Sequence, residues 1–583
     1  VTAMRGRSWI VGLGGAVALG MGAPGLAWAQ DFERVAPKPP PRTPVPEVSA
    51  PPTPEAVSGD QTVMVPQLTG LVFVDGIGAL QTDGVDPAGL TDGVYTASLP
   101  LLSDPEFLDR IRPYLGRPLT RSDLDRITGL VSETYRAAGH PFIEISVPPQ
   151  NVQSGVIQIV VTEYRVGEVR VEGNEYFSDD VILRMGDLRR GETLTLPRLR
   201  TAVERFNENP FLSIDAVVEP GAETGYTDVV LQAEDRSPAR VYVGYDNQGV
   251  PTLGRDEWYM GANWGNAFGQ GSVISYQFTR SFTGEYFSHS ASAVIPMRGG
   301  DKVLLFGAYS EQSPDLGFLF DSEGQSGQAS VRYVHNLPDS GPVSQSLQIG
   351  FDYKRADSNL EFFGFRILDT AVEVAQFPLV YNLSATDRWG QTDAENVLVL
   401  SPGDMTSHNT TEDLRQLVPG VNATYLYDRL SVTRTTFLPG NATSLTRVMA
   451  QLSTGNLPYS EQIGGGGIGS VRGYDTNSAL GSEGILFTQE FRAPPINVPR
   501  MFDGAPGTDW LQFGVFWDFA YLKQDRVFPD VPNTDKLSSI GINAHYNVGR
   551  YFNLQLELGH QLLKAPFAQD RETRLAMIMT LSF

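Results

Sequence analysis

A chain of 583 residues is too long for one compact core, so two or more domains are expected. Its 67 Asp and Glu outnumber 44 Lys and Arg, which removes the basic face a nucleic-acid partner would need. Cysteine is absent and the six histidines are scattered without HExxH spacing, so no disulfide framework, thiolate nucleophile, metal or cofactor motif is expected.

The first residues read as an export signal. Arg5 and Arg7 give a positive start, Trp9 to Met21 is mostly apolar or small, and Ala27-Trp28-Ala29 has the A-x-A form, which predicts cleavage after Ala29. The apolar run is too short and too rich in Gly for a spanning helix, and no other segment reaches that length. A mature chain resident in a membrane would therefore cross it as a closed β-barrel, where every backbone group is satisfied between strands. Residues 36–54 hold nine prolines and read as an extended linker within a proline-rich stretch assigned to 30–65.

Residues 66–163 read as one small α/β domain with the order β-α-α-β-β. Leu71 and Phe73 suggest the first strand, and Pro105 to Leu115 a helix. Thr120 with Asp123 opens a second helix, whose Leu124, Ile127, Val131 and Tyr135 share a face and whose C-terminal turn is Gly139. Phe142 to Val147 and Val156 to Thr162 alternate as strands; the stretch Asp75 to Ser103 has no place in this order. The same order recurs over 164–235, a divergent repeat of about 75 residues. Its short helix is expected to be capped by Ser178, and its striped helix carries Leu199, Ala202, Val203 and Phe206.

From residue 236 to 583 the texture is β, in strands of about ten residues with period two. Phe513, Val515, Trp517, Phe519 and Tyr521 alternate with Gln512, Gly514, Phe516, Asp518 and Ala520. Phe552, Leu554, Leu556 and Leu558 alternate with Asn553, Gln555 and Glu557, and the last strand runs to Phe583. One large apolar face against a small or polar one, sustained over this length behind an export signal, predicts a transmembrane β-barrel of about sixteen antiparallel strands with outer-membrane lipid around it. A soluble sandwich would share the period.

Within the barrel, a Gly464 to Gly467 run precedes Val471-Arg472-Gly473-Tyr474. A guanidinium matches a carboxylate in two parallel hydrogen bonds, so Arg472 on a flexible loop is a candidate to fasten to Asp518 on the wall; on the residues alone, an incidental pair or no pair at all is the better reading. Gly464, Gly466 and Gly469 satisfy GxGxxG without the βαβ flanks of a dinucleotide site, and no GxxxxGK[ST] loop is present.

These segments resemble the outer-membrane transporters of two-partner secretion (TpsB; the ShlB/FhaC/HecB haemolysin secretion/activation type), barrels preceded by POTRA domains. The resemblance is carried by Leu115-Gly116-Arg117-Pro118-Leu119-Thr120, Val147-Pro148-Pro149-Gln150, Val171-Glu172-Gly173-Asn174 and Gly464 to Tyr474. It implies two POTRA domains ahead of the barrel and a Val471-Arg472-Gly473-Tyr474 loop folded into the lumen, its arginine paired with Asp518 of an F-x-D-x-G strand motif. Here that motif is Phe516 to Ala520, with alanine in the glycine position. Many members carry a long plug helix rich in Gln and Glu; only Gln30 to Val35 precedes the prolines here, so no full plug is expected.

The implied function is export of an unfolded partner exoprotein through a monomeric barrel, with no enzymatic activity. The barrel-assembly machinery is the expected partner during biogenesis, addressed by the terminal Phe583. Substrate capture is assigned to the backbone edge Phe142, Ile143, Glu144 and Ile145, which can accept an extended polypeptide by strand addition. The alternatives are a barrel-assembly insertase, whose main form has five POTRA units where only two fit here, and a passive porin, which would need no soluble repeat.

Overall fold

The structure, a computed structural model, describes residues 34–41 and 59–583, apart from 97, 316–319, 341, 363–364, 499–508, 526–531 and 567. The predicted export signal and its cleavage site lie outside the described residues, as do residues 42–58 of the proline-rich stretch. The chain divides into two compact units, one over 45–208 with 212–235 and one over 1–44, 209–211 and 236–583.

The first unit holds two α/β modules. In the first, β1 (Gly70–Val74), α1 (Pro105–Ile111), α2 (Arg121–Ala137), β2 (Ile143–Ser146) and β3 (Val156–Glu163) follow the expected order. β3 lies centrally, parallel to β1 and antiparallel to β2, so β2 is an edge. Leu71, Phe73, Ile157 and Ile159 pack against Phe107, Ile127, Val131 and Tyr135 of the helices.

β1 is apolar on both faces, the pattern of a strand covered on both sides. The stretch after it supplies the second cover. Leu80, Val85 and Leu90 pack on Val72, Val74, Val156 and Val160, and the Gln158 side chain bonds the backbone N–H (2.9 Å) and carbonyl (2.7 Å) of Gln81. Val94–Tyr95 then pairs with the outer edge of β1. The stretch that had no place in the sequence reading is thus the back layer of the sheet.

Thr120 caps α2 in a reciprocal box: Asp123 N donates to Thr120 Oγ1 at 3.1 Å, and Thr120 N donates to Asp123 Oδ2 at 3.3 Å. Arg117 adds a two-pronged contact to the same carboxylate at 3.0 and 3.2 Å. Gly139, at φ +81°, takes the left-handed turn that ends the helix.

The second module repeats the order with β4 (Arg165–Glu172), α3 (Asp179–Gly186), α4 (Leu196–Phe206), β5 (Leu212–Pro220) and β6 (Tyr226–Asp235). β6 is central, between parallel β4 and antiparallel β5. Ser178 sits at the N-cap of α3 as expected, but its side chain makes no capping bond. The Asn174 amide instead ties the entry to α3, donating to Phe177 O at 2.7 Å and Asp179 Oδ1 at 2.8 Å.

The second unit is a closed antiparallel barrel. Its first strands are β7 (Ala239–Asp246), β8 (Glu257–Ala267), β9 (Ser272–Ser281), β10 (Tyr286–Pro296), β11 (Lys302–Gln312) and β12 (Gly324–Ser340). β13 (Val343–Phe362), β14 (Phe365–Asp387), β15 (Gly390–Pro402), β16 (Thr424–Phe437) and β17 (Thr443–Ser453) follow. β18 (Glu483–Arg492), β19 (Asp509–Lys523), β20 (Thr534–Val548), β21 (Phe552–Gln561) and β22 (Thr573–Ser582) complete sixteen long strands among the described residues. β22 closes on β7 through Tyr242↔Ser582 to Asp246↔Ile578. Phe583 extends that closure, its N–H donating to Val241 O at 2.9 Å while its side chain stays exposed.

Phe513, Val515 and Trp517 point outward and are exposed; Gln512, Phe516, Asp518 and Ala520 point inward and are buried. Strict alternation puts the apolar face outside and the polar face inside, which is the pattern lipid requires.

Asp123→Ala is expected to lower the stability of the first module by about 1–2 kcal/mol, read as a shifted urea midpoint in the full-length protein. Burial opposes ionisation of Asp123, but Arg117 and Thr120 outweigh it and hold the carboxyl below its ordinary range. The contribution is therefore present above pH about 4 and is lost as the pH falls further, so acid titration should narrow the gap between wild type and variant.

Candidate functional site in the barrel lumen

The connection from β17 to β18, residues 454–482, turns into the barrel. Its stem is a short hairpin, Ile463–Gly465 paired with Ala479–Gly481. Val471, Tyr474 and Ile463 pack with Leu522, Leu537 and Ala520 of the wall in a buried apolar cluster. Ala520 is fully buried there, and alanine fills the position that the family motif gives to glycine.

Arg472 stands at the centre. Its Nε and backbone N–H donate to Asp518 Oδ2 at 2.8 and 3.0 Å, and Nη2 donates to Oδ1 at 2.9 Å. The remaining nitrogen, Nη1, donates to Glu490 Oε2 at 2.6 Å and Glu557 Oε2 at 3.1 Å. The guanidinium lies over the Phe516 ring, 3.5 Å from its centroid. One cation thus joins carboxylates from β18, β19 and β21. Arg492 also meets Glu490, at 2.5 Å, and His545 Nε2 lies 3.1 Å from Glu557 Oε1.

A pair lining a water-filled lumen would be partly screened. Here the Arg472 side chain is 5% exposed and that of Asp518 0%, so screening is slight and loss of the arginine leaves Asp518 a buried charge without its partner.

Gly473 has φ +91°, and a Cβ there would lie 3.0 Å from the backbone of Gly559 in β21. Two glycines meet where loop crosses wall, which lets the Gln561 side chain donate to Gly473 O at 2.8 Å. Tyr474 Oη lies 2.6 Å from Leu563 O and 2.9 Å from Ser538 O, and accepts from Ser538 N at 3.2 Å. At the tip, Asp475 takes two bonds from Arg255 at 3.0 and 3.2 Å and pairs with Arg574.

A second anchor lies on the other side of the loop. Glu461 is buried and accepts from Gln376 Nε2 at 2.8 Å and Tyr427 Oη at 3.0 Å, and it forms an ion pair with Lys354. Its carbonyl accepts from Gln451 Nε2 at 3.0 Å and Arg429 Nη2 at 3.3 Å. The loop is held at Glu461 by β13, β14, β16 and β17, and at Arg472 by β18, β19 and β21. Sequence reasoning missed Glu461, since nothing in a loop sequence announces a buried carboxylate. Glu557 stood on the inward face of its strand, and Glu490 shares that inward parity in β18, but which loop they would meet is a long-range fact.

The haemolysin secretion/activation protein model (ShlB/FhaC/HecB) matches residues 225–506, a ShlB-type POTRA domain matches 91–163, and a second POTRA model, surface antigen variable number repeat, matches 164–241. This chain belongs to the ShlB/FhaC/HecB family of outer-membrane transporters. Heme/hemopexin transporter protein HuxB of Haemophilus influenzae (strain 86-028NP) is 22% identical over 465 residues, 75% of this chain and 77% of that protein. Outer membrane transporter CdiB of Escherichia coli O6:K15:H31 is 22% identical over 250 residues, 42% of each. The solved structure of CdiB from Escherichia coli shares the fold at TM-score 0.72 and 19% identity, covering 92% of this chain and 94% of that one. CdiB from Acinetobacter baumannii gives 0.63 at 16% identity, covering 95% and 96%. The barrel thus sits in the outer membrane with the POTRA domains in the periplasm.

Arg472→Lys is expected to behave nearly as Arg472→Ala, because an ammonium keeps the charge but cannot serve Asp518, Glu490 and Glu557 at once. Both should expose residues 454–482 to added protease in folded, membrane-inserted protein. Glu461→Ala should free the stem alone, so cleavage is expected between Asn456 and Gly465 with the Arg472 end still protected. Gly473→Ala should mimic loss of Arg472 without touching a charge, and an unchanged protease pattern in that variant would deny the close approach to Gly559 its role.

Proposed function

We propose that this chain exports a partner exoprotein of the haemolysin, haemagglutinin or adhesin type, unfolded, through its barrel by two-partner (type Vb) secretion. The observation that carries the reading is the lumenal loop held by Arg472 on three wall strands at once. A passive pore needs no such device, and a loop clamped by buried charge can be rearranged only by something that replaces those contacts. We read the protein as a monomeric transporter and not an enzyme, inserted by the barrel-assembly machinery with Phe583 as the terminal signal.

Capture of the substrate falls to the first POTRA domain. β2 is the open edge of its sheet among the described residues, since Val94–Tyr95 covers part of β1 at the other end. Tyr164 N donates to Phe142 O at 3.0 Å, so alternation along an antiparallel ladder turns the N–H and C=O of Ile143 and Ile145 toward the free side and those of Phe142 and Glu144 inward. An extended segment can add there as a further strand.

Co-production with a large exported protein encoded next to it, where there is one, followed by quantification of that partner in the medium, tests the reading. Release is expected only with an intact transporter, and equal release without it would end the proposal. Ile145→Pro removes one outward N–H from the edge and should cut release several-fold while the barrel still inserts. Normal release from that variant would move capture elsewhere.

A further inference from the structure

Residues 34–41, expected from the sequence to be part of a linker, instead lie against the inward faces of β7 to β10, a turn over 34–36 leading into a proline-rich run over 37–41, and the wall addresses their main chain. The Val35 carbonyl accepts from Ser290 Oγ at 2.6 Å and Gln277 Nε2 at 3.3 Å. Lys38 N donates to Tyr242 Oη at 2.9 Å and Gln277 Oε1 at 3.3 Å. The Lys38 carbonyl accepts from Arg240 Nη1 at 3.1 Å and Asn263 Nδ2 at 3.2 Å, and the Pro39 carbonyl accepts from the same Arg240 nitrogen at 3.1 Å. Arg236 Nη2 donates to Pro41 O at 2.7 Å.

Side chains are read at fewer points. Val35 is buried among Leu253, Tyr286 and Phe306, Arg34 pairs with buried Glu257, and the Lys38 ammonium lies 5.2 Å from the centre of the Tyr259 ring. Pro37, Pro39, Pro40 and Pro41 have no N–H and cannot join a sheet ladder, so this segment offers mainly carbonyls. The wall answers with amide, hydroxyl and guanidinium donors. Any extended polypeptide carries carbonyls at regular spacing, and each neutral bond is individually weak, so such a surface holds a chain without fixing its sequence.

We propose that the inward face of β7 to β10 is a binding track for an extended, unfolded polypeptide in transit, and that residues 34–41 occupy it as an internal stand-in for the substrate. The inference rests on the export reading and deepens it. Glu257 beside the Leu253, Tyr286 and Phe306 pocket adds a preference for a basic residue followed by a small apolar one. Departure of the stand-in exposes the donors to the next chain that arrives.

The native chain has no cysteine, so a single engineered thiol is an unambiguous probe. Ser290→Cys places one on the track, and Thr433→Cys places one on the inward face of β16, across from the track in sequence and strand order. Each full-length protein, in lipid vesicles, is offered a long unstructured peptide of Gly, Ser and Ala with one activated cysteine. Mixed disulfide is expected several-fold faster at Ser290→Cys than at Thr433→Cys. It should slow when free Arg-Val-Ala-Pro-Lys-Pro-Pro-Pro is in excess, and quicken several-fold when Glu257→Gln loosens the stand-in. Equal rates at the two cysteines, no competition by the free peptide, or no reaction at Ser290→Cys even with Glu257→Gln would each overturn the track. Failure of the export reading looks different: labelling as expected with no partner released to the medium, whereas release without selective labelling removes the track and leaves export intact.

Discussion

The lumen is organised by one cation. Arg472 meets Asp518, Glu490 and Glu557 with its side chain nearly free of water, in a setting where an unpaired charge of either sign is expensive. That cost works in both directions. The loop is held because three carboxylates converge on its arginine, and the carboxylates are matched because the arginine is there. The surrounding features serve this arrangement: the Phe516 face beneath the guanidinium, the Gly473 and Gly559 backbones that let the loop reach the wall, and Tyr474 on the carbonyls of the barrel rim.

A barrel with a polar interior has two physical options for what fills it, water or protein, and this chain uses two of its own segments. Residues 454–482 are held by charge at both ends, and residues 34–41 by one ion pair, Arg34 with Glu257, and otherwise by neutral and guanidinium donors to main-chain carbonyls. The contrast fits a division of labour. Buried ion networks have few alternative arrangements and fix a position, while main-chain hydrogen bonds are individually weak and interchangeable. A gate asks for the first and a path for the second.

Much of this is legible in the sequence. Period-two alternation gives the strands and their faces, and the length of the β region behind an export signal, with one face polar, tips the reading from a sandwich to a barrel. The helix of Leu124, Ile127, Val131 and Tyr135 was readable for the same kind of reason, together with its Thr120 and Asp123 box. Ser178 was readable as a position and not as a contact, since its cap bond is absent and Asn174 makes the local bonds. The Asp75 to Ser103 stretch stands out in the sequence without an account, although the both-faced apolar run of β1 implies a second cover that this stretch supplies.

What the sequence by itself determined is whatever a local period or a local motif specifies: β-strand texture, which residues face lipid, two α/β repeats, and a glycine-rich loop with an arginine looking for a carboxylate. What only tertiary structure decided is partnership across long separations. Arg472 meets residues 18, 46 and 85 positions away, Lys354 meets Glu461 at 107, and Val35 meets Ser290 at 255. A local period constrains the direction of a side chain. It leaves open which distant group waits there, because closing a barrel brings together residues whose separation in the chain carries no trace of their separation in space.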